Sequence, residues 1–168
     1  MLAAVGGCGR DVADEVSDAD RVVYVRLARP SCEIECFQGS DPAALAYVAA
    51  AVQEDLDGRG LGWGVSTKSS VLHQVLFIDA AEGRVVGDFK IVDDRWVLNR
   101  HERLHGDGRT VAALRDALAR GDLERVAFSE LEGGVPWVTA RFWRRPKAPE
   151  TQPDGNGECS PAGEQRGH

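Results

Sequence analysis

Between Val71 and Leu98 the chain passes through three strand-like segments with almost nothing between them, and this most narrows the folds open to it. The first, Val71–Asp79, is apolar on both alternating faces. Leu72, Leu76 and Ile78 share one face, and Val71, Val75 and Phe77 share the other with His73. A strand that is apolar on both sides belongs in the middle of a sheet. Ala80-Ala81-Glu82-Gly83 then turns into a run over 84–92, and Asp93-Asp94 turns again into Arg95-Trp96-Val97-Leu98. Connections this short return a strand antiparallel to the one before it, because a parallel return needs a crossover of about a dozen residues or more.

The rest of the chain fits around that meander. The β-branched run at 22–27 predicts a first strand, Ala28-Arg29-Pro30-Ser31 a turn, and 32–37 a second strand with Glu33 and Glu35 facing away from the core. Ser40-Asp41-Pro42 opens a helix, since Asp41 or Ser40 can cap free N–H groups and proline suits the first helical position. Leu45, Val48, Ala49, Val52 and Leu56 follow at helical spacing, and Gly58 stops the run. Thr110 is placed to cap a second helix carrying Val111, Leu114 and Leu118 and ending at Gly121. A last hairpin is expected over 124–131 and 135–143, around Gly133-Gly134. The resulting order is ββ-α-βββ-α-ββ, an α+β fold with a mostly antiparallel sheet and two helices packed on one face. Ile34, Leu45, Val48, Val52, Leu76, Phe77 and Phe89 are the expected core.

At 168 residues, with 43% hydrophobic and 28% charged side chains, the chain has material for one core and needs no metal or disulfide to fold. Residues 11–20 carry Asp11, Asp14, Glu15, Asp18 and Asp20, and 1–20 is therefore expected to be a flexible acidic leader. Residues 146–168 hold four prolines, four glycines and no large apolar side chain, which predicts a disordered tail. The single domain is then expected over 21–145.

Leu2-Ala3-Ala4-Val5-Gly6-Gly7-Cys8 resembles the end of a bacterial lipoprotein signal, in which small residues precede a cysteine that becomes lipidated. The resemblance implies a lipid anchor at Cys8 and an extracytoplasmic, membrane-anchored domain, provided that translation starts upstream of Met1. Without such a signal the domain is expected in the cytoplasm. Cys32 and Cys36 share a strand face about 13 Å apart, too far for a disulfide, and read as small buried hydrophobes.

His101-Glu102-Arg103-Leu104-His105 resembles the HExxH signature of zinc metallopeptidases. That resemblance implies a helix presenting His101 and His105 to zinc, with Glu102 as general base on a metal-bound water. Arg103 between the ligands and the glycines at 106 and 108 depart from the pattern, and His101 and His105 are expected to hold no zinc. The glycine-rich stretch 58–64 follows a helix and precedes a strand, the reverse of a phosphate loop, so it reads as a connector. Trp63 within it is a candidate binding anchor. Arg144 and Arg145, in a locally basic run, are candidates for meeting an acidic partner or lipid headgroups.

A net charge of −7 argues against general nucleic-acid binding, and no apolar run reaches the length of a membrane span. No cofactor is called for outside the zinc alternative. The reading that results is a non-catalytic binding or protein-interaction domain for an unidentified protein or small-molecule partner. The alternative is a small zinc-dependent hydrolase or peptidase built on His101, Glu102 and His105.

Overall fold

Val22 and Tyr24 point to one side of a strand and Val23 and Val25 to the other, and all four are fully buried. The computed structural model of the chain describes residues 11–28, 33–58, 60–61, 71–98 and 104–127. Its strands are β1 (Arg21–Ala28), β2 (Glu33–Gly39), β3 (Gly60–Leu61), β4 (Val71–Asp79), β5 (Arg84–Val92), β6 (Trp96–Leu98), β7 (Leu104–His105) and β8 (Glu124–Val126). They form one sheet in the order β3-β7-β6-β5-β4-β1-β2-β8. Every neighbouring pair is antiparallel. The helices are α1 (Val12–Glu15), α2 (Pro42–Asp57) and α3 (Arg109–Arg120). The fold is thus α+β on an antiparallel sheet, with β4 central between β1 and β5, as its two apolar faces require.

The alternation of side chains sorts the interior into two clusters. Val22, Tyr24, Phe37, Val75, Phe77, Phe89 and Ile91 meet the helices through Leu45, Val48, Val52, Val111 and Leu114. On the opposite face Val23, Val25, Cys36, Leu76 and Ile78 pack together. Burial pushes the Cys36 thiol up to about 11, so it behaves as the expected small hydrophobe. Six of the seven expected core residues are buried. Ile34 is the exception: it lies near the start of β2 and only leans on the second cluster.

The connections explain how the helices pair. After β2, next to one edge, α2 carries the chain across the sheet to β3 at the other edge; α3 carries it back from β7 to β8. The two helices therefore run in opposite directions and pack side by side, with the end of α2 beside the start of α3. Asp41 caps α2 as expected, accepting from the Ala44 N–H at 2.8 Å. Thr110 does not cap α3. That helix starts two residues earlier, at Arg109 behind Gly108 at φ 99, which has no capping side chain of its own. Glu35 also differs from expectation. It lies on the Phe37 face of β2, toward the helices, where Arg26 meets its carboxylate at 2.6 Å.

Of the expected leader, 11–20 packs on the domain and 1–10 lies outside the described residues. Val12 and Val16 are buried in the main cluster. The Val12 N–H donates to Gln53 Oε1 at 2.6 Å and the Asp20 N–H to the Ile78 carbonyl at 3.0 Å. Gly87 in β5 makes room for α1, because a Cβ there would lie 2.9 Å from Val16 Cγ1. The acidic residues dominate the composition, but the two valines fall four apart on one helical face and decide the outcome. Of the expected final hairpin, Glu124–Val126 forms β8; positions 128–143, like the tail at 146–168, lie outside the described residues.

Burial of two valines at roughly 1.5 kcal/mol or more each predicts that a chain beginning at Arg21 loses about 2–4 kcal/mol. Urea unfolding of the full and shortened chains measures it. Coincident midpoints would return 11–20 to the status of a leader.

Candidate functional site

Two polar networks, one centred on buried Asp55 and the other on buried Tyr24 and His73, lie at the end of the domain at which a cleft opens. The first starts from Asp55, in the last turn of α2 and fully buried. Its carboxylate accepts from the N–H groups of Asp107 at 3.1 Å, Arg109 at 3.2 Å and Thr110 at 2.8 Å, and from the Thr110 hydroxyl at 2.7 Å. These are the orphan donors of a helix start, and a negative charge there is also favoured by the helix dipole. Asp55 is therefore the cap that Gly108 lacks, supplied by a neighbouring helix. Gly106, at φ 102, is required for the approach: a Cβ there would stand 2.5 Å from Asp55 Oδ1.

The second device crosses the sheet on its helical face. Arg125 of β8 reaches Glu35 of β2 at 3.3 Å, and Glu35 holds Arg26 of β1. Arg26 lies over the Phe37 ring at 5.0 Å. Tyr24 bonds His73 Nδ1 at 2.6 Å while stacking on the imidazole, and His73 Nε2 bonds Asp94 Oδ1 at 2.5 Å. Arg115 of α3 meets the other Asp94 oxygen at 3.5 Å.

One proton arrangement satisfies the centre of this row. The Tyr24 hydroxyl donates to Nδ1 of a neutral imidazole, and Nε2–H donates to the Asp94 carboxylate. Burial pushes the Tyr24 phenol up to about 12, against the pull of the nearby Arg26 charge, so it stays a donor. Burial also holds the His73 imidazole below its ordinary value, with the bond to Asp94 opposing. Tyr24 is only 1% exposed and His73 only 6%. The pair is spent on itself and offers neither a nucleophile nor a base to a bound molecule.

Asp94 joins this row to the cleft. Asp93 and Asp94 both have positive φ, 53° and 56°, and the Arg95 N–H closes the turn on the Val92 carbonyl at 3.2 Å. This is the hairpin turn that favours asparagine and glycine, here built from two aspartates at a cost of about 1 kcal/mol or more each. The bond to His73 and the ion pair to Arg115 offset it. The turn sets Arg95 and Trp96 as one wall of a cleft of about 740 Å³; Glu54, Asp57 and Gly58 at the end of α2, and Gly106, Asp107 and Arg109 before and in α3, form the rest. Arg109 is held by Glu54 at 2.8 Å and Asp107 at 3.4 Å. The Arg95 guanidinium lies 4.7 Å over the Trp96 ring.

The residues singled out by sequence fare differently. His105 lies on β7, with Gly60 and Val97 as its Cα partners. Its ring packs on Gly60, where a Cβ would come within 3.1 Å of Cε1. Leu104 and His105 are thus extended, not helical, and the shared helical face that the zinc signature demands is missing at His105. Among the described residues no group of three or more His, Cys, Asp or Glu is placed to hold a metal. Cys8, Trp63, His101, Glu102, Arg144 and Arg145 lie outside the described residues. The cleft residues were not anticipated. The available signal was Glu54, Asp55 and Asp57 in the last turn of a helix with no basic residue there, against the usual preference.

Because His73 is neutral in the fold and has a depressed value, the unfolded chain binds more protons below pH 6.5. Its contribution is complete above about pH 6.5 and declines as pH falls toward the lower folded value. Urea unfolding at pH 7.5 and pH 5 is expected to show a fall in stability that His73→Gln largely removes. An undiminished fall in that variant would assign the pH dependence to other groups.

No protein-family model, no curated protein and no solved structure matches this chain, so the reading of the site rests on its own geometry.

Proposed function

We propose that this chain is a non-catalytic binding domain whose ligand sits in the cleft between the end of α2, the β5–β6 turn and the start of α3. The observation that carries the reading is the cleft itself. It is within the size range of ligand sites, counts Trp96 and a few charged groups among its lining, and is bounded by segments that the contacts of Asp55 and Asp94 hold in place. Tyr24 and His73, whose ionisation burial disfavours, are sealed and bonded to each other, and neither is among the lining residues, which favours binding over catalysis. Against the zinc-hydrolase alternative, His105 lies on a strand where the signature needs a helix.

Attachment through a lipidated Cys8 belongs to the same proposal, on the condition that translation starts upstream of Met1. Among the described residues no helix is long and apolar enough to cross a membrane. Only residues 9–11 separate Cys8 from α1, so a lipidated Cys8 would hold the domain within about 14 Å of the bilayer surface. There the cleft would serve a partner reachable from the membrane plane.

The test is a fragment panel of cations, anions and neutral aromatics added to the isotope-labelled full chain and followed by amide chemical shifts. Saturable shifts confined to positions 54–58, 94–97 and 106–109 are expected from at least one class. Shifts concentrated elsewhere, or none from any class, would overturn the cleft as the binding place.

A further inference from the structure

We infer that the face of the sheet away from the helices is closed by the chain's own stretch 128–143, packed across β2, β1 and β4. The inference is independent of the cleft, which lies at the ends of α2 and α3.

The burial of that face calls for a cover. Val23, Val25 and Leu76 are 0% exposed, Cys36 1% and Ile78 4%. Among the described residues every member of this cluster lies on a strand, and the apolar side chains that α1, α2 and α3 contribute to a cluster all enter the other one. Side chains stand out from a sheet, so neighbours on adjacent strands, about 4.8 Å away, shield their flanks but not their outer ends. The cluster runs over neighbouring strands, from β8 through β2 and β1 to β4 and β5, and adjacent strands do not fold over one another's faces. A second layer about 10 Å above the sheet is what takes the outer ends out of water. The burial is reached within one chain, so that layer comes from the chain itself.

Of the stretches outside the described residues, 128–143 has both the place and the composition. Val126, the last residue of β8, packs on the cluster and is the Cα partner of Cys36. The chain therefore leaves β8 beside the buried face. Positions 128–143 hold Leu131, Val135, Trp137, Val138, Phe142 and Trp143, and their length far exceeds the roughly 14 Å from β8 across to β4. Positions 29–32, 99–103 and 146–168 contain no large apolar side chain. Positions 62–70 start from β3 at the far edge and end on reaching β4, four places in, so β1 and β2 lie beyond their end. Positions 1–10 lead into α1, whose valines enter the cluster on the helical face. The cover makes 128–143 a third layer of the domain, where the sequence pattern suggested a hairpin continuing the sheet.

The experiment records NOEs between aromatic rings and methyl groups in the isotope-labelled full chain, with Trp137→Phe and Trp143→Phe used only to assign the indoles. Contacts from rings within 128–143 to the methyls of Val23, Val25, Leu76 and Ile78 are expected. A mixture of two differently labelled copies separates contacts within a chain from contacts between chains. A second measurement follows the Cys36 thiol, with Cys8→Ser, Cys32→Ser and Cys159→Ser removing the other three. A buried thiol is inert until its cover opens. Adding Trp137→Asp and Val138→Asp is expected to speed the reaction of Cys36 with a water-soluble aromatic disulfide at least tenfold, while the methyl signals of Val48 and Leu114 verify that the helical face stays folded. If that variant unfolds, the NOEs of the unaltered chain decide alone. Methyl contacts arising only from 1–10 or 62–70, contacts arising between copies, or an unchanged Cys36 rate in a folded variant would overturn the inference, and each leaves the cleft untouched.

Discussion

The carboxylate of Asp55 is the contact on which the functional end of this domain depends. A buried carboxylate is costly unless its oxygens are fully used, and here three backbone N–H groups and one hydroxyl use them. The same contact solves the opposite problem for α3, whose start sits behind a glycine that cannot cap it. Each helix end thus supplies what the other lacks. The cleft forms at this junction because the two ends must stay in register, and Gly106 is the point where only a missing side chain lets the chains come close enough.

The row through Glu35, Arg26, Tyr24, His73 and Asp94 plays the matching part on the other wall. It links β8, β2, β1 and β4 to the β5–β6 turn and, through Arg115, to α3. A hairpin turn with two left-handed aspartates is unfavourable in isolation. It persists because Asp94 lands on a buried imidazole whose other nitrogen is already satisfied. Strain in the turn, neutrality of His73 and the position of Trp96 are therefore one linked arrangement.

The strand pattern was legible because its physical cause is local. Alternation along Val71–Asp79 places Leu76 and Ile78 on one face and Val75 and Phe77 on the other, and the structure keeps both sets buried. The turn at Asp93-Asp94, the Asp41 cap and the glycine stop at 121 were likewise readable from adjacent residues. The acidic stretch misled because composition averages over a segment, whereas docking depends on where two valines fall. Glu35 misled because a charged residue on a core-facing position reads as solvent-facing until its cross-strand partner, Arg26, is known.

By itself the sequence determined the long strands and the two long helices, the antiparallel pairing within hairpins and the class of fold, since those follow from contacts between residues near in the chain. The cleft and its walls were decided by tertiary structure alone. Asp55 meets Thr110 across a separation of 55 positions and His73 meets Asp94 across 21. No local pattern marks such partners: the first pairing exists only after α2 and α3 have crossed the sheet in opposite directions, and the second only once β4 and β5 have paired along their length. The HExxH-like segment shows the same limit from the other side: its spacing suits a metal on a helix, but pairing with β6 and β3 makes Leu104–His105 a strand. Backbone pairing on both sides, with nearby β6 and distant β3, outweighed the local spacing.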